Sequence, residues 1–200
     1  MISNIIFDFG DVFLNLDKSA PYRDLTEQEL VQAGPELYAI NSAYEIGTLD
    51  SPTFIKKMRQ LFNGRSSHEL EILWNSMLLD LPEERLLFLE KLSAEEPYRL
   101  FLLSNTNELH ISHVKASIGM ERFSRFKNCF EQFYLSHEIG LRKPEEAVFR
   151  YVLEENKLNP EETMFIDDTL EHVEAARRLG IKGWHLQVGK EDVTELKSRL

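Results

Sequence analysis

Four small polar clusters carry the chemistry open to this chain: Asp8, Ser104-Asn105, Lys143 and Asp167-Asp168. Asp8 directly follows the apolar run Ile5-Ile6-Phe7, Ser104 the run from Arg99 to Leu103, and Asp167-Asp168 the run from Thr163 to Ile166. Three carboxylates, with no histidine or cysteine among them, suit a hard cation that takes oxygen ligands, foremost Mg²⁺. Such an ion keeps several waters and shares the oxygens of a bound phosphate. A hydroxyl and free N–H groups at a strand-to-helix junction suit the same anion, and a lysine adds a point charge. A carboxylate can attack phosphorus and split one difficult hydrolysis into two easier steps. Cation and lysine would offset the repulsion between that carboxylate and the anionic substrate. Taken alone, Asp8 reads equally well as the cap of a strand end.

The elements that must position these groups follow from the hydrophobic pattern. Apolar runs this short read as buried strands, and 5–7 as the central strand of a parallel sheet. From residue 98 onward, strands alternate with helices, as in βαβ units. Expected helices span 108–118 and a stretch opened by Lys143-Pro144 with Val148, Phe149, Val152 and Leu153. Another carries Val173, Ala176 and Leu179 and stops at Gly180. Further strands are expected at 130–135 and 182–187, and a short polar helix closes the chain. In a doubly wound sheet all strand C-termini open on one edge, so the four clusters can converge there.

Between Asp17 and Glu96 the pattern is helical with no convincing strand. Thr26 and Glu29 have the spacing of a capping box. Gly34-Pro35 interrupts that helix, and a second is expected from Pro35 to Ile46, stopping at Gly47. Ser51 reads as an N-cap with Pro52 at the first helical position, and Ser67 as the next cap. Pro82 opens a helix carrying Leu86, Leu87, Leu89 and Leu92. The expectation is an α/β protein: a Rossmann-like, doubly wound parallel sheet core made of 1–16 and 97–200, with an inserted all-helical cap at 17–96.

The formal charge of -11 argues against nucleic acid or an anionic membrane as partner. No apolar run is long enough to cross a bilayer, and the first residues lack the pattern of a secretory signal. Cys129 is the single cysteine, which suits a reducing cytoplasm and reads as a core filler rather than a nucleophile. Nothing in the sequence calls for an obligate protein partner.

Four pieces in order carry a resemblance: Phe7-Asp8-Phe9-Gly10-Asp11-Val12, Leu102-Leu103-Ser104-Asn105-Thr106-Asn107, Gly140-Leu141-Arg142-Lys143-Pro144, and Phe165-Ile166-Asp167-Asp168. Together they resemble the haloacid dehalogenase superfamily, in its aspartate-nucleophile phosphatase branch with a helical cap. Leu103 to Thr106 and Lys143 to Glu145 are similar to the subgroup acting on α-glucose 1-phosphate and related small esters. The resemblance implies a Mg²⁺-dependent phosphomonoesterase working on a small phosphorylated metabolite, foremost a sugar phosphate. It implies Asp8 as nucleophile and metal ligand, and the Gly10 main-chain carbonyl, Asp168 and Asp167 as further ligands, Asp167 directly or through water. Ser104 matches the phosphate-binding hydroxyl, with Asn105 beside it, and Lys143 the lysine holding nucleophile and phosphate. One position departs: most such phosphatases carry a second aspartate, the general acid and base, where this chain has Gly10. The resembled subgroup often has glycine there too. Asp11 is a candidate substitute, against the plainer reading of a solvated turn residue.

Other residues are placed by the same reasoning. His110 and His113, three apart on a helix, find no third metal ligand and read as solvated or capping. His172 lies one helical turn after Asp168 and reads as a polar neighbour of the cluster. Phe54, Met58 and Trp74 read as cap core, and Tyr44-Glu45-Ile46-Gly47 matches the place where the resembled family often selects substrates. Arg142 contacts the anion or the solvent. Two other functions fit the pattern. A dehalogenase displaces halide with the same aspartate but has no use for Asp167-Asp168. A non-catalytic binding protein would account for Gly10, but not for intact Asp8, Ser104, Lys143 and Asp168.

Overall fold

In the computed structural model, which describes every residue except Glu96 (and only the backbone of Gln28, Leu30, Gln32 and Glu95), the chain is built around strand β1, Asn4–Phe7. Ile5, Ile6 and Phe7 are wholly shielded from solvent on both faces of the sheet. That explains the unbroken apolar run, since successive side chains point to opposite faces and both faces are covered. Strands β2 (Arg99–Ser104), β3 (Gln132–Leu135), β4 (Thr163–Asp167) and β5 (Lys182–His185) complete the sheet. Their order is β3-β2-β1-β4-β5, and every pairing is parallel. Phe7 is level with Leu102 on one side and Ile166 on the other. Ser104, Asp8 and Asp167 therefore all emerge at the same sheet edge.

Each face of the sheet has its own core. Ile5 and Phe7 pack with Leu100, Leu102 and Ile166 under helices α4 (Glu83–Glu95), α5 (Glu108–Ile118) and α6 (Met120–Lys127). Phe7, Phe13, Phe126 and Phe130 form a ring cluster there, with centroids 5.1–6.3 Å apart. Ile6 faces the other way, with Phe101, Leu103 and Phe165, under α8 (Glu146–Asn156) and α9 (Leu170–Arg178). Each fully buried Phe, Leu or Ile is worth roughly 1.5–3 kcal/mol of transfer free energy.

Helices α1 (Glu27–Glu45), α2 (Ser51–Leu61) and α3 (Ser67–Asn75) form a separate cluster around Tyr44, Phe54, Met58, Phe62, Leu70 and Trp74. Tyr44 stacks on Phe54 with ring centroids 4.2 Å apart. Two antiparallel tethers join this unit to the sheet. The Asn15 N–H donates to the Asp80 carbonyl, the Leu79 N–H to Asn15, and the Asp17 N–H to Met77. Leu86, Leu89 and Leu92 of α4, by contrast, belong to the sheet's own core.

Several expected boundaries move. Pro35 lies inside α1, which runs through without a break. Proline forfeits one helical N–H, and here the neighbouring turns carry the helix past it. The Thr26 capping box is present. Asp50, not Ser51, caps α2 by accepting the Thr53 N–H at 2.8 Å, and Ser66, not Ser67, caps α3 in a capping box with Glu69. In both cases the neighbouring polar residue is an equally good acceptor by type, and the sequence does not choose between them. Helix α6 and the single turn α7 (Ser136–Ile139) fill stretches to which the hydrophobic pattern assigns no helix. The helix after Lys143-Pro144 starts at Glu146, and the Lys143-Pro144 peptide is cis.

Candidate active site

The sheet edge brings the four clusters together. Asp8, leaving β1, is 8% exposed, and its N–H donates to the Ile166 carbonyl at 2.9 Å. The Lys143 ammonium, fully enclosed, donates to Asp8 Oδ1 at 2.7 Å and to Asp167 Oδ2 at 2.6 Å. Ligand oxygens of Asp8, Asp167 and Asp168 lie within 4.8 Å of one another. Ser104, at the end of β2, is 3% exposed, and its hydroxyl makes no hydrogen bond to the described residues. A side chain with that much spare hydrogen-bonding capacity at a strand end is suited to an oxygen of a bound anion.

The electrostatics follow from burial. Loss of water pushes the Asp8 carboxyl up to about 6, since Lys143 only partly offsets that burial and Asp167 adds to it. Asp167 is also buried, yet Lys143 and His172 outweigh the desolvation and hold it well below the ordinary carboxylate range. Burial would lower Lys143, but Asp167 and Asp8 raise it above the usual lysine value. The site keeps an ionised Asp167 and a permanent ammonium beside a nucleophile candidate whose charge is costly until a cation joins it.

Asp167 and Asp168 have different surroundings. Both oxygens of Asp167 are engaged: Oδ1 accepts the Thr169 N–H at 2.8 Å, and Oδ2 accepts Lys143 and His172 Nδ1, the latter at 3.0 Å. Asp168 reaches the surface of the cluster, and its main-chain carbonyl accepts His185 Nε2 at 3.0 Å. Its carboxylate is not held by Lys143 but meets the half-exposed Lys18 at Oδ2, 2.5 Å away, while Asp167 anchors Lys143. The donor set of oxygens with surplus negative charge fits a hard divalent ion. His172 has the neighbouring role read from its spacing.

Two candidates find other employment. Asn105 does not aim its amide at the cavity's anion position: Nδ2 donates to the Lys143 carbonyl at 2.8 Å, and Oδ1 accepts the Lys143 N–H at 2.9 Å. Asp11 sits in the left-handed region at φ 55°. Its Oδ1 accepts the Leu16 N–H at 3.0 Å, and its Oδ2 lies 2.9 Å from Lys18 Nζ. Both oxygens of the substitute proton donor are therefore occupied. Gly10 lies close under the cap tether: a Cβ there would stand 2.7 Å from Leu16 Cδ1, the end of a side chain that can turn aside.

Above the cluster lies a cavity of about 350 Å³ between core and cap. Phe9, Gly10, Ser104, Asn105 and Thr106 form its floor; Glu45, Asn41, Trp74 and Leu78 line it from the cap and tether side. Arg142 is partly exposed and turned to the cap, where Nη1 donates to Ser42 Oγ at 2.6 Å and Nη2 lies 3.0 Å from Glu45 Oε2. The approach to Glu45 is off hydrogen-bond direction, which leaves Oε2 without a hydrogen bond. Burial raises the Glu45 carboxyl above its ordinary value despite Arg142. His110 is neither solvated nor a metal ligand: Nε2 donates to the Trp74 carbonyl at 3.2 Å, and the ring stacks on Trp74. His113 is exposed. Cys129 is a partly buried filler whose Sγ donates to the Arg125 carbonyl. A lone lysine after Asp17 carries no pattern, so nothing in the sequence points to Lys18.

Residues 2–180 match the family model described as haloacid dehalogenase-like hydrolase. The chain belongs to this family. It is 25% identical to the D-ribitol-5-phosphate phosphatase of Bacteroides thetaiotaomicron, covering 98% of this chain and 97% of that one. The structure is similar to that of a HAD family enzyme from the same organism in complex with magnesium and inorganic phosphate, with TM-score 0.76, 30% identity and coverage of 96% and 97% of the two chains. A predicted HAD-like family hydrolase from Porphyromonas gingivalis is similar over 100% of this chain and 98% of its own, with TM-score 0.82 and 25% identity.

Proposed function

We propose that this chain is a Mg²⁺-dependent phosphomonoesterase that hydrolyses a small phosphorylated metabolite, foremost a sugar or polyol phosphate, through an aspartyl-phosphate on Asp8. The observation that carries this reading is the Lys143 ammonium held between Asp8 and Asp167, with the Asp168 carboxylate alongside and unengaged by that lysine. The similar phosphatase and the similar enzyme crystallised with magnesium and phosphate support it.

Asp8 Oδ supplies the electron pair that forms the bond to phosphorus, and the ester oxygen leaves with its electrons. Water then attacks phosphorus, the bond from phosphorus to the Asp8 oxygen breaks to release the carboxylate, and the proton the water gives up balances the one the departing alkoxide takes from solvent. A cation held by Asp8, Asp168 and the Gly10 carbonyl supplies charge neutralisation for the nucleophile and the phosphoryl oxygens. Lys143 stays ionised and keeps Asp8 aligned. The Ser104 hydroxyl donates to a phosphoryl oxygen. The cap excludes bulk water and limits substrate size.

A dehalogenase is less well supported, because the acidic pair has no task in halide displacement. No helix among the described residues is long and apolar enough to cross a membrane, and the single free cysteine supports a cytoplasmic setting. The test is phosphate release from pentitol, pentose and hexose phosphates, with Mg²⁺ and with chelator. Release that persists in chelator would remove the metal from the mechanism, and no release from any ester would favour a binding protein.

A further inference from the structure

Lys143 neutralises Asp8 and Asp167 but does not reach Asp168. A second lysine does. Lys18 Nζ lies 2.5 Å from Asp168 Oδ2 and 2.9 Å from Asp11 Oδ2. It is the first residue beyond the tether formed by 15–17 and 77–80, and its side chain is 52% exposed. Asp11, at its positive φ, is fixed by the Leu16 N–H and holds out its other oxygen to this lysine.

We propose that Lys18 is the resident counter-ion of the acidic cluster, giving up Asp168 when a divalent cation takes it and staying on Asp11. This rests on the phosphatase reading, which makes Asp168 a cation ligand. A dication on Asp168 and an ammonium on the same oxygen repel strongly, so one must move. Lys18 moves at little cost: its stem is flexible and half in water, and the Asp11 contact persists. Asp11 thereby gains a purpose that needs no proton transfer, as the second holder of the displaced ammonium. Lys18 also lines the cavity, so its charge then faces the space where the anion binds. Because Lys18 begins the cap segment, the exchange also unpins the cap entrance from the end of β4.

The test uses Mg²⁺ alone, titrated calorimetrically into wild type, Lys18→Met, Lys18→Gln and Lys18→Arg, with melting curves in metal-free and metal-loaded buffer. Removing a cation from beside the site is expected to tighten Mg²⁺ binding about tenfold in Lys18→Met and Lys18→Gln. Their metal-free melting temperature falls and their Mg²⁺-induced rise grows. Lys18→Arg, which keeps the charge, binds as wild type does. Unchanged or weaker binding in both neutral variants overturns the proposal while leaving the metal site standing. A wild type that binds no Mg²⁺ overturns the metal reading itself, and this proposal with it.

Discussion

Asn105 grips the main chain of Lys143 from both sides, donating to its carbonyl at 2.8 Å and accepting its N–H at 2.9 Å. The loop after β2 thereby fixes the residue whose ammonium bridges Asp8 and Asp167. Two part-buried hydrogen bonds of this kind are worth on the order of 1–3 kcal/mol when their loss leaves groups unpaired. Asn105→Ala is expected to lower kcat roughly 10- to 100-fold with little change in KM, because a misplacement of about 1 Å near reacting atoms costs that much. Steady-state kinetics checks this. A rise in KM at unchanged kcat would mean that Asn105 holds the phosphate directly.

The proton donor can be sought by exclusion. Asp11 has both oxygens engaged, by Leu16 and Lys18. Asp11→Asn should slow nitrophenyl phosphate and a sugar phosphate by the same small factor. General acid help is typically worth about 10²–10⁴-fold and matters most for poor leaving groups. A loss confined to the sugar phosphate would return Asp11 to the chemistry.

His110 makes stability depend on pH. Burial lowers its imidazole to about 4, against an unfolded value of 6.5, so it is neutral in the fold at neutral pH. Between these values the unfolded chain binds more protons than the folded one, so this residue's contribution to stability falls as pH drops from 6.5 towards 4. The integrated effect is on the order of 3 kcal/mol at one pKa unit per 1.36 kcal/mol. Denaturant melts of wild type and His110→Gln across this range should differ in slope, wild type losing stability faster on acidification. Parallel curves would show that His110 is hydrated rather than sealed beneath Trp74.

The fold was legible where burial wrote it into the pattern. The run Ile5-Ile6-Phe7 announces a strand covered on both faces, and Asp8, Ser104 and Asp167 sit where such strands end. Lys143 was legible only with Pro144 and the other three pieces in order, since a buried lysine has no periodicity. What the sequence withheld are relations across the chain. Nothing near Asn105 says that its amide is spent on a peptide 38 residues away. Nothing near Lys18 points to Asp168, 150 residues on. Helix α4 has the same leucine spacing whether it packs on the cap or on the sheet, and only the fold sets Leu86, Leu89 and Leu92 in one core with Leu100.

The central claim is that Asp8 carries the phosphoryl group during turnover. Acid quenching of the Mg²⁺-loaded protein during hydrolysis of a turned-over sugar or polyol phosphate, followed by peptide mass analysis, tests it most directly. The account predicts one added phosphoryl group on the peptide containing Asp8, absent in Asp8→Asn, which also loses phosphate release. Undiminished phosphate release by Asp8→Asn, with no modified peptide in wild type, would contradict it.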